Sequence, residues 1–322
     1  MSTAPFQWQD GERLIRFDGD ALAHVWPDAA LLTTARARES IPRTVREAAS
    51  AVVDVPAGSV PDAASSIAAE VPEGRLVAWG GGRVIDTAKA IASARGGSVC
   101  AVPTTLSGAE MSSGHRQLPG AEGRPRVRPA LVLADSELMT SAPPERLRAS
   151  AMNALGHAAE ALVTRRANPV SSMAALRAAE LLAGGLEESR PVDLALGSIL
   201  AGYALGSAGL ALHHVVCQTI VRIAGTDHAA TNAAMLPHTT EALAGVAPAQ
   251  MRDLADAVGA GDAGLRTRIA DLAGGPVRLS VIGVERGQLS TIAEAAAARS
   301  ELANLPQTPT RDQLLRLLES AW

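Results

Sequence analysis

The chain is predicted to fold in two parts: an α/β domain with a parallel sheet over residues 1–144, then an all-α domain over residues 145–322. Three observations predict this. Short apolar runs alternate with helical periods in the first part, the pattern of a parallel sheet with crossover helices. A glycine triplet, Gly80-Gly81-Gly82, joins one of those runs to a helical period. After Ser141-Ala-Pro-Pro144 the strand-like runs stop, and alanine- and leucine-rich helical periods continue to the end.

In order, strands are expected at Ala30–Thr34, Ser50–Asp54, Arg75–Trp79, Ser98–Val102 and Pro129–Ala134. These runs are short and rich in Val, Leu and Ala, as strands covered on both faces are. Helical periods occupy Pro61–Ala69 and Val84–Ala94, and Gly114–Arg128, rich in Gly, Pro and Arg, is expected as a loop or hairpin. In the second part helices are expected over Glu145–Thr164, Val170–Leu186, Pro191–Val221, Ala229–Ala244, Pro248–Val258, Ala263–Leu272, Arg286–Arg299 and Thr310–Ala321. Pro and Gly punctuate the gaps between them.

Composition narrows the function classes. The 322 residues are 47% hydrophobic and carry a net charge of −4, with no long basic run, so nucleic acid is not an expected partner. Apolar runs are broken by charges before the length of a membrane span, and Met1 to Gly11 is polar without an apolar signal core, so no membrane partner is expected. Cys100 and Cys217 lie far apart in apolar settings, as buried thiols of a reduced compartment do, and the expected location is cytoplasmic. Lys89 is the only lysine, in a chain that otherwise uses arginine.

Two turns carry a candidate ligand site. Strand Arg75–Trp79 runs into Gly80-Gly81-Gly82-Arg-Val-Ile-Asp86-Thr-Ala-Lys89, where glycines let backbone amides approach a phosphate and the helix start adds partial positive charge. After the next strand, Pro103-Thr104-Thr105-Leu106-Ser107-Gly108-Ala109-Glu110 offers hydroxyls to the same crevice. Neither turn is a GxGxxG or P-loop fingerprint. Farther on, Asn153 and His157 share one helix face at i and i+4, and His213-His214 and His228 follow, so Asn153, His157, His214 and His228 form a four-point constellation. Glu160, one turn beyond His157, is placed to orient it. His213 reads equally as a supporting or packing residue and as a functional one, and His238 as a capping or packing residue.

Together these segments resemble the iron-containing (group III) alcohol dehydrogenase family of the dehydroquinate synthase-like superfamily. The family's GGGSxxDxxK loop appears as Gly80–Lys89, its PTTxxTGSE segment as Pro103–Glu110, and its DAxxHxxE helix as Asn153–Glu160. Its later histidine run appears as His214, His228 and Leu236-Pro237-His238. The maleylacetate-reducing branch is the nearest in appearance, because it too reads NAxxH. Gln218 and Asn232 depart from that branch, which has histidines there, and Val221-Arg222 replaces a Gly-Gly.

The resemblance implies an NADPH- or NADH-dependent oxidoreductase, a homodimer, with a small carbonyl or enone substrate that is a dicarboxylate in the nearest branch. It implies cofactor contacts from Gly80, Gly81, Gly82, Asp86, Lys89, Thr104, Thr105 and Ser107, and catalysis by His157, His214, His228 and Asn153. In the metal-dependent branch an aspartate and three histidines hold Fe(II) or Zn(II), which makes His157, His214 and His228 candidate metal ligands. Asn153 offers only a neutral oxygen in place of that aspartate, leaving open a metal-free reductase in which imidazoles bind and protonate the substrate. A dicarboxylate also wants guanidinium partners, for which Arg116, Arg165 and Arg222 are candidates. Thr34 and Arg36, with no acid after the strand, suit the 2′-phosphate of NADPH. Competing readings are a metal-dependent alcohol or aldehyde reductase, a dehydroquinate synthase-like cyclase (which the single lysine disfavours), and a non-catalytic nucleotide-binding relative.

Overall fold

The structure, a computed structural model, describes residues 4–322, which divide into two units meeting in sequence between Ala142 and Pro143. In the first unit β1 (Phe6–Asp10), β2 (Arg13–Phe17), β3 (Ala30–Thr33), β4 (Ala51–Asp54), β5 (Gly74–Gly80), β6 (Gly97–Pro103) and β7 (Leu131–Ala134) form one sheet. Its order is β1-β2-β7-β6-β5-β3-β4, and every neighbouring pair is parallel except the β1–β2 hairpin. The five expected strands are β3 to β7. The hairpin is a correction: the sequence reading treats Met1–Gly11 only as a polar segment, and residues 6–10 are an edge strand. The signal was present in the alternation Phe6-Gln-Trp-Gln-Asp10, with Gly11 turning the chain at φ +62°. Residues 1–3 lie outside the described residues.

Period-two alternation divides the strands between two cores. Leu32, Leu76, Ala78, Val99 and Ala101 pack on one face against α1 (Val60–Ile67) and α2 (Gly82–Arg95). Leu31, Val77, Trp79, Cys100, Val102 and Leu133 pack on the other. Burial on both faces is why these strands read as unbroken apolar runs. Strand β4 lies on one side of β3 and β5 on the other, so the winding reverses between β3 and β5. The carboxyl ends of strands at such a reversal are where open α/β sheets take ligands, and Gly80-Gly81-Gly82 follow β5 there. Residues 104–130 contain no strand and no helix.

The second unit is helical: α3 (Pro144–Val163), α4 (Pro169–Glu188), α5 (Pro191–Ala208), α6 (Leu212–Ala224), α7 (His228–Ala244), α8 (Pro248–Ala257), α9 (Gly264–Leu272), α10 (Leu289–Ala297) and α11 (Arg311–Ala321). Proline opens α3, α4, α5 and α8, where its missing N–H costs no helical bond. From Ala151 to Val163 every residue of α3 is buried, so this helix runs through the middle of its unit, packed by α4, α5 and α7.

Two expectations change here. The single period expected over Pro191–Val221 is two helices, because Gly209 at φ +84° ends α5 and the chain restarts at Leu212. Helix α5 is also long and apolar enough, with a mean hydropathy of 1.2, to cross a membrane, contrary to the reading that every apolar run stops short. More than half of it, 56%, is buried, as in the core helix of a globular unit.

Candidate active site

The first cluster is the glycine turn. Gly81 is the N-cap of α2 and supplies no side-chain cap, so the first amides of α2 remain available to an anion. Close approach excludes a larger residue at Gly80 and crowds one at Gly81 or Gly82. A Cβ on Gly80 would lie 2.7 Å from Val84, and one on Gly81 or Gly82 would lie 3.1 Å from Thr105 or Ser107, respectively. The two hydroxyl-bearing side chains therefore pack directly on the glycine turn, and the Thr104 amide donates to Gly80 O at 3.1 Å. This brings Gly80, Gly81, Gly82, Thr104, Thr105 and Ser107 together as a cradle that fits a pyrophosphate.

Asp86 and Lys89 lie farther along α2. Lys89 is fully buried, lies 2.7 Å from Asp86, and donates to the carbonyls of Ala109 (2.9 Å), Ser112 (3.1 Å) and Gly114 (2.7 Å). Its ammonium pins the 104–128 loop to α2, and its three protons are engaged by those carbonyls. Glu110, which the sequence reading passed over except as a motif letter, is fully buried beside this group, and neither carboxylate oxygen has a hydrogen-bond partner. Burial pushes its carboxyl up to about 7, against the pull of its own amide and of Lys89.

The second cluster is imidazole-rich. His157 on α3 and His214 on α6 stack with ring centroids 4.6 Å apart, and His213 meets His214 edge-on at 5.1 Å. Glu160 bonds His214, not His157: its Oε2 accepts from Nδ1 at 2.7 Å and its Oε1 from the His214 amide at 3.2 Å. Spacing along α3 suggested the intrahelical partner; the fold turns Glu160 toward the start of α6. There it serves as the cap that Ala211 lacks, at the positive end of the helix. Burial pushes the Glu160 carboxyl up, but the His214 charge and hydrogen bond, His213 and the Ala211 amide together hold it below its ordinary value. His157 is driven well below the usual histidine range, first by burial and then by the neighbouring imidazoles.

His213, left open by the sequence, has partners on both ring nitrogens. Its Nδ1 meets Thr239 at 2.9 Å and its Nε2 meets Asn232 at 2.8 Å, and burial and the His214 charge push it down to about 3. Asn232 thus has a defined job where the nearest branch carries histidine. Gly156 is required beneath this ring, because a Cβ there would lie 2.6 Å from His213 Cδ2. Asn153 is buried on the same helix as His157, and His228 opens α7 at an exposed position, its charge reaching both His157 and His213. Gln218, one turn beyond His214, accepts from Arg299 at 3.0 Å, and Arg299 is forked onto Glu301. Of the arginine candidates, Arg165 is engaged by the carbonyls of Leu305 and Pro306, while Arg116 and Arg222 are exposed.

These side chains are a poorer set for a divalent iron than an aspartate and three histidines. Asn153 supplies no negative charge, and the one carboxylate among the imidazoles, Glu160, is bonded to His214. What the cluster does offer is two buried ring atoms without partners, His157 Nδ1 and His214 Nε2, available to a substrate oxygen or carbon.

Known proteins agree with this architecture. The iron-containing alcohol dehydrogenase family matches residues 28–143, and the C-terminal domain of the Fe-containing alcohol dehydrogenase family matches residues 148–322. Maleylacetate reductase 1 of Rhodococcus opacus is 38% identical over 77% of this chain and 72% of its own length. The maleylacetate reductase of Sphingobium indicum is 31% identical over 98% of this chain and 95% of its own. The crystal structure of maleylacetate reductase from Rhizobium sp. strain MTP-10005 superposes with a TM-score of 0.80 at 27% identity, covering 100% of this chain and 99% of that one. With both parts of the chain matched in order, this protein belongs to the iron-containing alcohol dehydrogenase family.

Proposed function

We propose that this oxidoreductase is a maleylacetate reductase-like enzyme that uses NADH or NADPH to reduce a C=C conjugated to a ketone in a small dicarboxylate. One observation carries the metal-free form of the reading: where the metal-dependent branch would place a cage, this chain has two stacked imidazoles, one of them hydrogen-bonded to a buried carboxylate. The nicotinamide supplies the hydride. Gly80, Gly81 and Gly82, with Thr104, Thr105 and Ser107, are the residues that would hold its pyrophosphate, and Lys89 and Asp86 keep that cradle in register. Hydride addition to the electron-poor carbon leaves an enolate, whose negative charge needs hydrogen-bond donors. His214 delivers the proton and His157 hydrogen-bonds the substrate, with Asn153 and His228 completing the set.

Thr34 and Arg36 support acceptance of NADPH; Thr34 caps the turn after β3 and Arg36 is exposed beside it. The two buried free thiols, Cys100 and Cys217, support a reducing, cytoplasmic setting, and the family resemblance supports a homodimer. The test is oxidation of NADPH and of NADH with maleylacetate on chelator-treated protein. Turnover is expected without added metal. No turnover, with activity on simple aldehydes restored by Zn(II) or Fe(II), would move the protein to the metal-dependent branch.

A further inference from the structure

We infer that the nucleotide cradle is proton-linked: Glu110, as a neutral acid, is a positioning residue that keeps Ser107 against Gly82, and NADH binds more weakly once that proton is lost. The inference rests on the cradle reading of the glycine turn and is independent of which substrate is reduced.

The geometry around Glu110 carries it. The turn Gly108–Met111 closes through the Met111 amide, which donates to Gly108 O at 3.1 Å, with Gly108 at φ +70°. Two cations hold the backbone on either side of Glu110. Lys89 of α2 donates to Ala109 O at 2.9 Å, and Arg13 of β2 donates to Met111 O at 2.8 Å. The same turn reaches the cradle, because the Ala109 amide donates to Ser107 Oγ at 3.4 Å and Ser107 packs on Gly82. Between the two pinned carbonyls the Glu110 side chain is fully buried, and neither of its oxygens is hydrogen-bonded. Lys89 and Asp86 of α2 and Arg13 of β2 face it, but Lys89 is ion-paired with Asp86, and Arg13 with Asp10. His115 faces the same Lys89 and Asp86; burial holds it below the usual histidine range, so it gives up its proton at lower pH than Glu110.

A neutral carboxyl tolerates this site far better than a buried carboxylate without donors. Once ionised, Glu110 is relieved in one of two ways. It draws Lys89 or Arg13 off its carbonyl, or it swings out to water. Both routes release the turn that presents Ser107. Burial places the titration at about 7. The form that binds nucleotide is the protonated one, fully present below that value and lost as pH rises through it. No covalent bond changes; above that value, nucleotide binding takes up a proton from solvent.

The probe is NADH, which lacks the 2′-phosphate that titrates in the same range in NADPH. Fluorescence titration of the full-length protein from about pH 6 to about pH 8.5 should show Kd rising roughly tenfold in the wild type and staying at its acid value in Glu110→Gln. Calorimetry in two buffers of different ionisation enthalpy reads the proton on the wild type itself, whatever the folding of the variant. Proton uptake on binding is expected at about pH 8 and none at about pH 6. Parallel profiles for wild type and Glu110→Gln, or no uptake in the alkaline buffer, overturn the inference. Gly82→Val separates it from the reading on which it rests. Unchanged NADH binding in that variant counts against the cradle, whereas weakened binding there together with parallel Glu110 profiles counts against the proton link alone.

Discussion

Replacing Glu110 by glutamine should stabilise the protein above neutral pH and leave it unchanged in acid. Glu110 is fully buried, and both its oxygens lack hydrogen-bond partners. Lys89 and Asp86 of α2 and Arg13 of β2 face it, Arg13 being ion-paired to Asp10 and donating to Met111 O. Its carboxyl rises from an ordinary 4.5 to about 7. In the unfolded chain this group gives up its proton near 4.5; in the folded protein it keeps the proton until about 7. Between those values the native state binds more protons, so native stability falls as pH rises through the window and then levels off. At ~1.36 kcal/mol per pH unit, the full difference is about 3 kcal/mol. Glutamine has the shape of the protonated side chain without the titration. The stability difference between Glu110→Gln and wild type should therefore open from near zero below the window to about 3 kcal/mol above it, or ~2–4 °C of melting temperature per kcal/mol. Urea denaturation and thermal melts across the pH range, followed in parallel, measure this. A difference that stays flat with pH, or a wild type more stable than the variant in alkali, would show that Lys89 keeps Glu110 ionised and would refute the reasoning.

Removing the ammonium in Lys89→Met leaves three loop carbonyls without their donor and Asp86 without its counter-charge; a loss of about 3–5 kcal/mol in denaturation is expected, with weaker NADPH binding by fluorescence titration. Gly156→Ala drives a methyl into His213, which Thr239 and Asn232 hold in place, so stability should fall by about 1–3 kcal/mol and turnover should drop; an unchanged melt would mean the ring yields. Gly82→Val fills the cradle against Ser107 and should raise the KM for both nicotinamides with little change in melting temperature. Asn153→Asp restores a carboxylate beside His157 and should create Zn(II) binding measurable by calorimetry; identical calorimetric traces for variant and wild type would argue that more than charge keeps a metal out.

Much of this protein is written locally. The strand–helix alternation marks β3 to β7 and α2, because burial on both sheet faces demands unbroken apolar runs. The glycine triplet marks the cradle, because Gly80 leaves no room for a side chain against Val84. The helical spacing of Asn153, His157 and Glu160 marks the imidazole helix. Local pattern failed where a turn residue outweighed periodicity, as at Gly209, and where a short alternating strand was masked by polar letters, as at Phe6–Asp10. The pairings needed the fold. Glu160 and His214 are 54 residues apart, and helix spacing pointed Glu160 at His157 instead. Lys89 matches a cofactor motif, yet its proton donors go to carbonyls 20 to 25 residues away. Glu110 carries no sign in sequence that it is buried without a partner. Periodicity and turn chemistry act between neighbours in the chain, so a sequence shows them; the electrostatic environment of a side chain depends on residues that only folding brings into contact, so that part belongs to the tertiary structure.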